Sequence, residues 1–219
     1  MGYRIGFDIG STTIKAVVLD ENNQICYKSY ERHKAQVRQK ALDKLVELKK
    51  YTKEPFKFAI SGSGALGLCE QGELPFVQEV FASATGVTKL YPETDCAIEL
   101  GGEDAKILFF QGSVEQRMNS TCAGGTGAFI DQMSTLLNMS LEEMNEASLN
   151  YHRLYPIASR CGVFAKTDIQ PLINQGVDKC DLCASIFQAV VDQTITSLAQ
   201  GRKIEGNILF LGGPLYFMS

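Results

Sequence analysis

The sequence predicts an α/β protein made of two lobes, each with a mixed sheet, and three observations carry that prediction. A β-β-β-α-β order opens the chain, and a second set of three strands begins at residue 95. In each set a carboxylate-bearing first strand runs into a glycine turn, at Asp8 and again at Glu99. No linker rich in proline, serine or charge separates the sets, so we expect two lobes that pack together, residues 1–90 and 91–219.

Hydrophobic alternation and helical spacing place the elements of the first lobe. They predict strands over 3–8, 14–20, 24–30 and 56–60, with a helix after residue 36. The same criteria predict, in the second lobe, strands over 95–100, 105–110, 114–118 and 208–211, and helices over 122–137 and 181–200. Ser140 and Glu143 have the spacing of a capping box, which marks the start of a further helix.

Composition excludes several classes of function. The chain has 219 residues, of which 45% are hydrophobic, enough for a full core. The net charge is −4, and its basic residues are scattered singly except at Lys49 and Lys50, so we expect neither a nucleic-acid partner nor an anionic membrane surface. The start of the chain has no signal-peptide pattern, and no segment approaches the roughly 20 apolar residues of a membrane span. We therefore expect a cytoplasmic protein.

The first candidate site surrounds Asp8. This carboxylate lies within an apolar run, where burial is unfavourable unless a partner such as hydrated Mg²⁺ compensates the charge. A turn with backbone N–H groups and hydroxyls follows and can bind phosphate oxygens, with Lys15 close by. The turn is formed by Gly10, Ser11, Thr12 and Thr13. The alternative is a plain hairpin with Asp8 in solvent.

The second candidate site repeats the first about 90 residues later. Glu99 ends an apolar strand, Gly101 and Gly102 form the turn, and Glu103 follows. One carboxylate from each lobe is what a two-sided Mg–ATP site requires, so the pair favours nucleotide binding over two unrelated hairpins. Glu99 or Glu103 is the candidate base that orients water or accepts its proton.

These motifs resemble those of a known superfold. FDIGSTTIK is similar to the first phosphate motif of the actin/hexokinase/heat-shock-chaperone (ribonuclease H-like) ATPases, and ELGGEDAK is similar to the second. LFLGGPL is similar to their adenosine motif, which makes Gly212 and Gly213 candidate nucleotide-binding residues. Within that superfold, TCAGGTGAF and RCGVFA resemble the two cysteine motifs of the BadF/BadG/BcrA/BcrD ATPases. That family includes 2-hydroxyacyl-CoA dehydratase activators and benzoyl-CoA reductase ATPase subunits. The resemblance covers nearly the whole chain and implies two lobes around a nucleotide cleft.

The cysteine motifs predict metal ligands. Seven cysteines without a secretion signal favour reduced thiols or metal ligands over disulfides. Cys122 and Cys161 each open a predicted helix, where the thiolate form is favoured. A 4Fe–4S cluster needs four such ligands, so two per chain imply a cluster shared across a homodimer or between tandem modules. Gly124, Gly125, Thr126 and Gly127 follow Cys122, and the last two are candidates to approach the nucleotide.

The other cysteines have simpler interpretations. Cys180 and Cys183 form a C-x-x-C pair at the start of an apolar helix and match no motif of the family, so a structural role is favoured over a redox or metal role. Cys26, Cys69 and Cys96 lie in or beside predicted strands and loops. His33 and His152 are isolated and receive no role.

The resemblance implies an ATP-hydrolysing activator. Such a protein takes an electron from ferredoxin or flavodoxin onto its cluster and passes it to a dehydratase or reductase component. Two rivals stay open: a sugar kinase of the same superfold, which needs no cysteine ligands, and a non-catalytic nucleotide-binding module.

Two features depart from the family pattern. Glu99 stands where Asp is usual and Glu103 where Gln is usual, which puts metal placement and the hydrolysis rate in doubt. The chain also ends just after Gly213, where the family continues, so we expect a truncated second lobe or the N-terminal module of a longer tandem activator.

Overall fold

The computed structural model describes residues 2–52, 55–119, 124–158 and 161–218. The chain divides into two compact units, Met1–Gly86 and Val87–Ser219. The division falls inside one helix, Glu79–Leu90. Each unit is described below by itself.

The first unit is a four-stranded mixed sheet with helices. Its elements are β1 (Tyr3–Ile9), β2 (Thr13–Leu19), β3 (Ile25–Arg32), α1 (Val37–Leu48), β4 (Phe56–Ser61), α2 (Leu66–Gly72) and α3 (Glu79–Leu90). The strand order is β3-β2-β1-β4, with β4 parallel to β1 and the other pairs antiparallel. Alternate apolar residues of β1 and β2, such as Phe7 and Ile14, pack with Ala41 and Leu48 of α1. The predicted β-β-β-α-β order is confirmed.

The second unit repeats this sheet with more helices. Its elements are β5 (Cys96–Leu100), β6 (Ala105–Phe109), β7 (Glu115–Met118), α4 (Gly127–Leu137), α5 (Leu141–Ser148), α6 (Gly162–Asn174), α7 (Lys179–Gln193), β8 (Ile208–Leu211) and α8 (Gly213–Phe217). The strand order is β7-β6-β5-β8, with β8 parallel to β5. One sheet face packs on side chains of α4 and α7, including Phe129, Met133 and Ile186. The two sheets have the same topology, which confirms the internal repeat.

Two predicted helices differ from the structure. The helix expected from residue 122 begins at Gly127, because the run Gly124-Gly125-Thr126 favours a turn, in which Gly125 has φ +75°. The helix expected over 181–200 ends at Gln193 and continues as a π-helix, Thr194–Ala199. Thr194 Oγ1 donates to the Val190 carbonyl (2.9 Å). The hydroxyls of Thr196 and Ser197 likewise donate to the carbonyls four residues before them. Such bonds compete for the helical carbonyls and distort the helix.

The stretch Lys179–Ala199 has the length and composition of a membrane span, with a mean hydropathy of 1.2 over its most apolar window. The expectation that no segment of the chain approaches that length is therefore wrong. Of this window, 56% is buried within the structure, and Leu182, Cys183 and Ile186 belong to the core of the second unit. These features are those of the core helix of a globular unit.

The predicted capping box at the start of α5 is present. Glu143 N–H donates to Ser140 Oγ (3.1 Å), and Ser140 N–H donates to Glu143 Oε2 (2.7 Å). We expect Ser140→Ala to lower the free energy of unfolding by about 1 kcal/mol, because the Glu143 N–H at the start of α5 loses its acceptor. Urea unfolding measures this. Glu142→Gln is the control, since it lies in the same turn outside the box and should cost only a few tenths of a kcal/mol. Equal losses in both variants would show that the box adds nothing.

Candidate functional site

Asp8 lies near the carboxyl end of β1, with Lys15 of β2 on one side and Ser61 of β4 on the other. Lys15 Nζ lies 2.6 Å from Asp8 Oδ2, so this ion pair satisfies one carboxylate oxygen. Asp8 Oδ1 and Ser61 Oγ are buried and have no hydrogen-bond partner among the described residues. A buried carboxylate oxygen without a donor is unfavourable, and a cation or its bound water would satisfy it. The partner in this structure is thus Lys15 on one oxygen, and the other oxygen has no hydrogen-bond donor among the described residues.

The predicted turn after β1 is closed by a backbone bond. Gly10 N–H donates to the Thr13 carbonyl (2.9 Å), which gathers the Gly10–Thr13 segment beside Asp8 and Lys15. Gly62, directly after β4, has φ +97°, and a Cβ there would lie 2.3 Å from the Ile9 carbonyl oxygen and 2.5 Å from Asp8 Oδ1. Only glycine lets β4 leave the sheet this close to the carboxylate.

Glu99 occupies the matching place in the second unit. It pairs with Lys106 of β6, whose Nζ lies 3.7 Å from Glu99 Oε1. The Lys106 side chain is only 2% exposed, so the carboxylate compensates a deeply buried cation. Gly101 N–H donates to the Asp104 carbonyl (2.7 Å), the same closure as in the first turn.

Gly212 repeats the role of Gly62. It follows β8 with φ +96°, and a Cβ there would lie 2.0 Å from the Leu100 carbonyl oxygen. Gly213, buried, begins α8. The predicted glycines Gly101, Gly127 and Gly212 therefore come together at the end of β5, while Glu103 is exposed in the turn itself.

The start of α4 is attached to the second turn. Gly127 N–H donates to the Gly101 carbonyl (2.9 Å) and Ala128 N–H to the Gly102 carbonyl (2.7 Å). A Cβ on Gly127 would lie 3.1 Å from the Gly101 oxygen, so glycine permits this contact. Gly127 is a candidate to approach the nucleotide, and its N–H is bonded within the protein. Thr126, directly before the helix, is fully buried.

Cys161 is half-buried and is the N-cap residue of α6, as predicted. Gly162 follows it and lies under the side chain of Gln132 on α4, because a Cβ on Gly162 would be 2.2 Å from Gln132 Oε1. The second predicted ligand, Cys122, lies outside the described residues. The described part of the chain holds no cluster of three or more His, Cys, Asp or Glu side chains suited to a metal ion.

The remaining described cysteines differ in surroundings. Burial raises the pKa of the Cys183 thiol to about 11. The pKa of Cys180 is raised by its hydrogen bond to the Asp178 carboxylate. Both shifts disfavour the thiolate that a metal would bind, which supports a structural interpretation of this pair. Cys69 and Cys96 are buried, and Cys26 is exposed on β3.

Sequence reasoning missed several residues of these turns. Lys106 stands seven positions after Glu99, as Lys15 stands seven after Asp8, so the repeat itself contained the signal. Ser61 ends β4 and Gly62 follows it, as Leu211 ends β8 and Gly212 follows it. This correspondence is visible only once the parallel pairing is known.

Comparison with known proteins decides the family. Residues 5–216 match the family model described as the BadF/BadG/BcrA/BcrD ATPase family. The chain belongs to this family. The predicted family and the predicted enzyme class, an ATPase, are thereby confirmed.

The chain also resembles individual members of the BadF/BadG/BcrA/BcrD family. It is 29% identical to the activator of lactoyl-CoA dehydratase from Anaerotignum propionicum, over 96% of this chain and 83% of that protein. The crystal structure of (R)-2-hydroxyglutaryl-CoA dehydratase component A from Acidaminococcus fermentans superposes with a TM-score of 0.85 at 26% identity, covering 98% of this chain and 84% of that one. The Clostridium difficile activator of 2-hydroxyisocaproyl-CoA dehydratase, solved with bound ADPNP, gives 0.83 at 28% identity, covering 97% and 80%. These likenesses confirm the predicted fold class, an α/β actin/hexokinase/heat-shock-chaperone-like ATPase fold.

Proposed function

We propose that this ATPase is an iron–sulfur activator that delivers an electron to a 2-hydroxyacyl-CoA dehydratase or benzoyl-CoA reductase component. One observation carries the proposal: the carboxylate turn of the second unit is bonded to α4, and α4 also contacts the start of α6, which bears Cys161. The relatives named above as dehydratase activators support the class of partner.

The residues of the two turns fit Mg–ATP. The orphaned Asp8 Oδ1 is suited to a water of hydrated Mg²⁺, and Lys15 is close enough to meet a phosphate oxygen. We assign the Gly10–Thr13 turn to one set of phosphates and the Gly101–Gly102 turn, with Gly212 and Gly213, to the rest of the nucleotide. Glu99 or Glu103 orients the attacking water, and hydrolysis of ATP gives ADP and phosphate.

The surroundings of Cys161 are suited to a thiolate that binds a metal. Cys161 is half-buried at the N-terminus of α6, where the helix dipole favours negative charge. Cys122 and Cys161 would hold half of a 4Fe–4S cluster, and a second copy of the chain or a second module would hold the other half. When bound, the cluster supplies one-electron transfer at low potential. Ferredoxin or flavodoxin is the proposed donor, and the cytoplasm is the proposed location.

Contacts of α4 connect the proposed nucleotide turn of the second unit with the segment that bears Cys161. Because Gly127 and Ala128 donate to the Gly101 and Gly102 carbonyls, a change in the turn moves α4. Since Gln132 of α4 lies on Gly162, that movement reaches Cys161 directly. A rigid helix held by two such contacts can transmit a nucleotide-driven movement from one contact to the other.

Iron content tests the proposal. We expect wild-type protein, reconstituted anaerobically, to bind about four irons per pair of chains and to give an EPR signal after dithionite reduction. Cys161→Ser should lose most of both, because serine oxygen is a poor substitute for thiolate. Iron, acid-labile sulfide and EPR measure this.

Cys26→Ser is the matched control, since Cys26 is exposed on β3 of the other unit and should keep wild-type iron. Equal iron in Cys161→Ser and wild type would remove Cys161 from the ligand set. Wild-type protein without iron would favour the sugar kinase or the nucleotide-binding module, and a screen of sugars for phosphorylation would follow.

A further inference from the structure

His33 is a buried histidine that the proposed mechanism does not use. It directly follows β3 and is 5% exposed. Its ring Nε2 lies 3.2 Å from the Gly10 carbonyl oxygen, and its ring Nδ1 accepts the N–H of Ala35 (3.2 Å). Its backbone N–H donates to the Thr12 carbonyl (3.1 Å). One residue thus contacts the Gly10–Thr13 turn with both its side chain and its backbone.

These contacts define the state of the ring. A backbone N–H only donates, so Nδ1 must carry a lone pair, and a carbonyl oxygen only accepts, so Nε2 must carry the proton. In this arrangement Nε2 donates to the Gly10 carbonyl and Nδ1 accepts from Ala35. The ring is held from both sides, which fixes its orientation.

The backbone after His33 is strained in a way that supports this orientation. Lys34 and Ala35 have φ of 48° and 62°, two consecutive left-handed residues that carry a Cβ. Gln36 N–H donates to the His33 carbonyl (2.8 Å) and closes the turn. Such strain persists only where surrounding bonds enforce it, and it concentrates at functional positions.

The bond to Gly10 has a consequence for the neighbouring amide. The described residues contain no cis peptide bond, so the Gly10–Ser11 peptide is planar and trans. Its N–H therefore points opposite to its carbonyl. With the Gly10 carbonyl held by His33, the Ser11 N–H is directed away from His33, towards the other side of the turn.

The second repeat contains a matching device. Asn119 directly follows β7, as His33 follows β3. Its Oδ1 accepts the Ala105 N–H (2.9 Å), its Nδ2 donates to the Glu103 carbonyl (3.4 Å), and its backbone N–H donates to the Ala105 carbonyl (3.0 Å). In both units a polar residue after the third strand binds the turn that follows the first strand. Its recurrence in the second unit supports a role in shaping these turns.

We propose that His33 is a positioning residue that holds the Gly10–Thr13 turn so that the Ser11 N–H meets a phosphate oxygen of the nucleotide. This inference rests on the proposed role of that turn in nucleotide binding. His33 does not touch the nucleotide itself. It acts through the Gly10 carbonyl, to which its ring Nε2 donates.

Two substitutions separate the two ring contacts. His33→Gln places an amide N–H near the position of Nε2 and keeps a donor for Gly10. His33→Asn keeps an acceptor for Ala35 but does not reach Gly10. We expect His33→Asn to raise the dissociation constant for Mg–ADPNP and the KM for ATP about tenfold, the loss of one hydrogen bond. His33→Gln should stay within about threefold of wild type.

Titration calorimetry and steady-state ATPase kinetics measure these changes, with thermal unfolding beside them. Asp43→Asn is the control, because Asp43 is exposed on α1, and we expect wild-type affinity. His33→Asn with wild-type affinity would overturn the inference while leaving the ATPase intact. Equal losses of affinity and stability in the Asn and Gln variants would also overturn it, because they would show that the role of His33 is only structural. Wild-type protein that binds no ADPNP would refute the proposed nucleotide site, and the inference with it.

Discussion

Replacing Asp8 with asparagine should lower ATP turnover by about 10²- to 10³-fold. The reason is the buried Oδ1, which has no hydrogen-bond partner among the described residues and which we expect to accept a hydrogen bond from a metal-bound water. Asparagine has the same shape but no charge, so it does not hold a hydrated cation in place. Steady-state ATPase assays over a range of Mg²⁺ concentrations measure the effect, and we expect the turnover number to fall at saturating Mg–ATP.

The stability of the Asp8→Asn variant should change little. The Asp8–Lys15 pair is partly exposed, with side chains 29% and 37% accessible, and pairs of this kind contribute about 0–1 kcal/mol. Asp43→Asn is the matched control, because Asp43 is exposed on α1 and should keep wild-type turnover. A near-normal rate for Asp8→Asn, at normal stability, would move the catalytic carboxylate elsewhere.

Local patterns predicted the fold of both units well. Alternation of apolar residues in β1 and β2 and the helical spacing before Leu48 are properties of short segments, and a sheet with one face on a core produces them directly. The repeat of a carboxylate and a glycine turn, at Asp8 and Glu99, then predicted that the two sheets would match, as they do.

Features set by individual hydrogen bonds escaped prediction. The π-helix after Gln193 depends on hydroxyl groups competing for carbonyls, which hydrophobic spacing does not detect. The start of α4 at Gly127 depends on carbonyls of a turn 26 residues earlier. His33 looked isolated in sequence because its partner, Gly10, lies 23 residues away. Such residues can be identified only once the pairing of the strands is known, because that pairing brings their partners close.

Replacing Gly212 with alanine should unfold or severely destabilise the second unit. The added Cβ would lie 2.0 Å from the Leu100 carbonyl oxygen and 2.7 Å from its carbon, and backbone atoms of a central strand cannot move aside. The residue also has φ +96° and ψ 160°, a region that is essentially limited to glycine. We expect a loss of about 4 kcal/mol or more in the free energy of unfolding, measured by urea titration, or insoluble protein.

Gly176→Ala is the comparison variant for that loss. Gly176 has φ +75°, but a Cβ there would meet nothing within 4 Å, so only the backbone conformation is penalised, by about 1–2 kcal/mol. The difference between the two variants therefore combines the steric contact between the turn after β8 and the end of β5 with the more restrictive backbone conformation of Gly212. If both variants lost the same stability, strand β5 would yield to the added methyl group, and the close packing of Gly212 on Leu100 would not hold the candidate nucleotide turn in place.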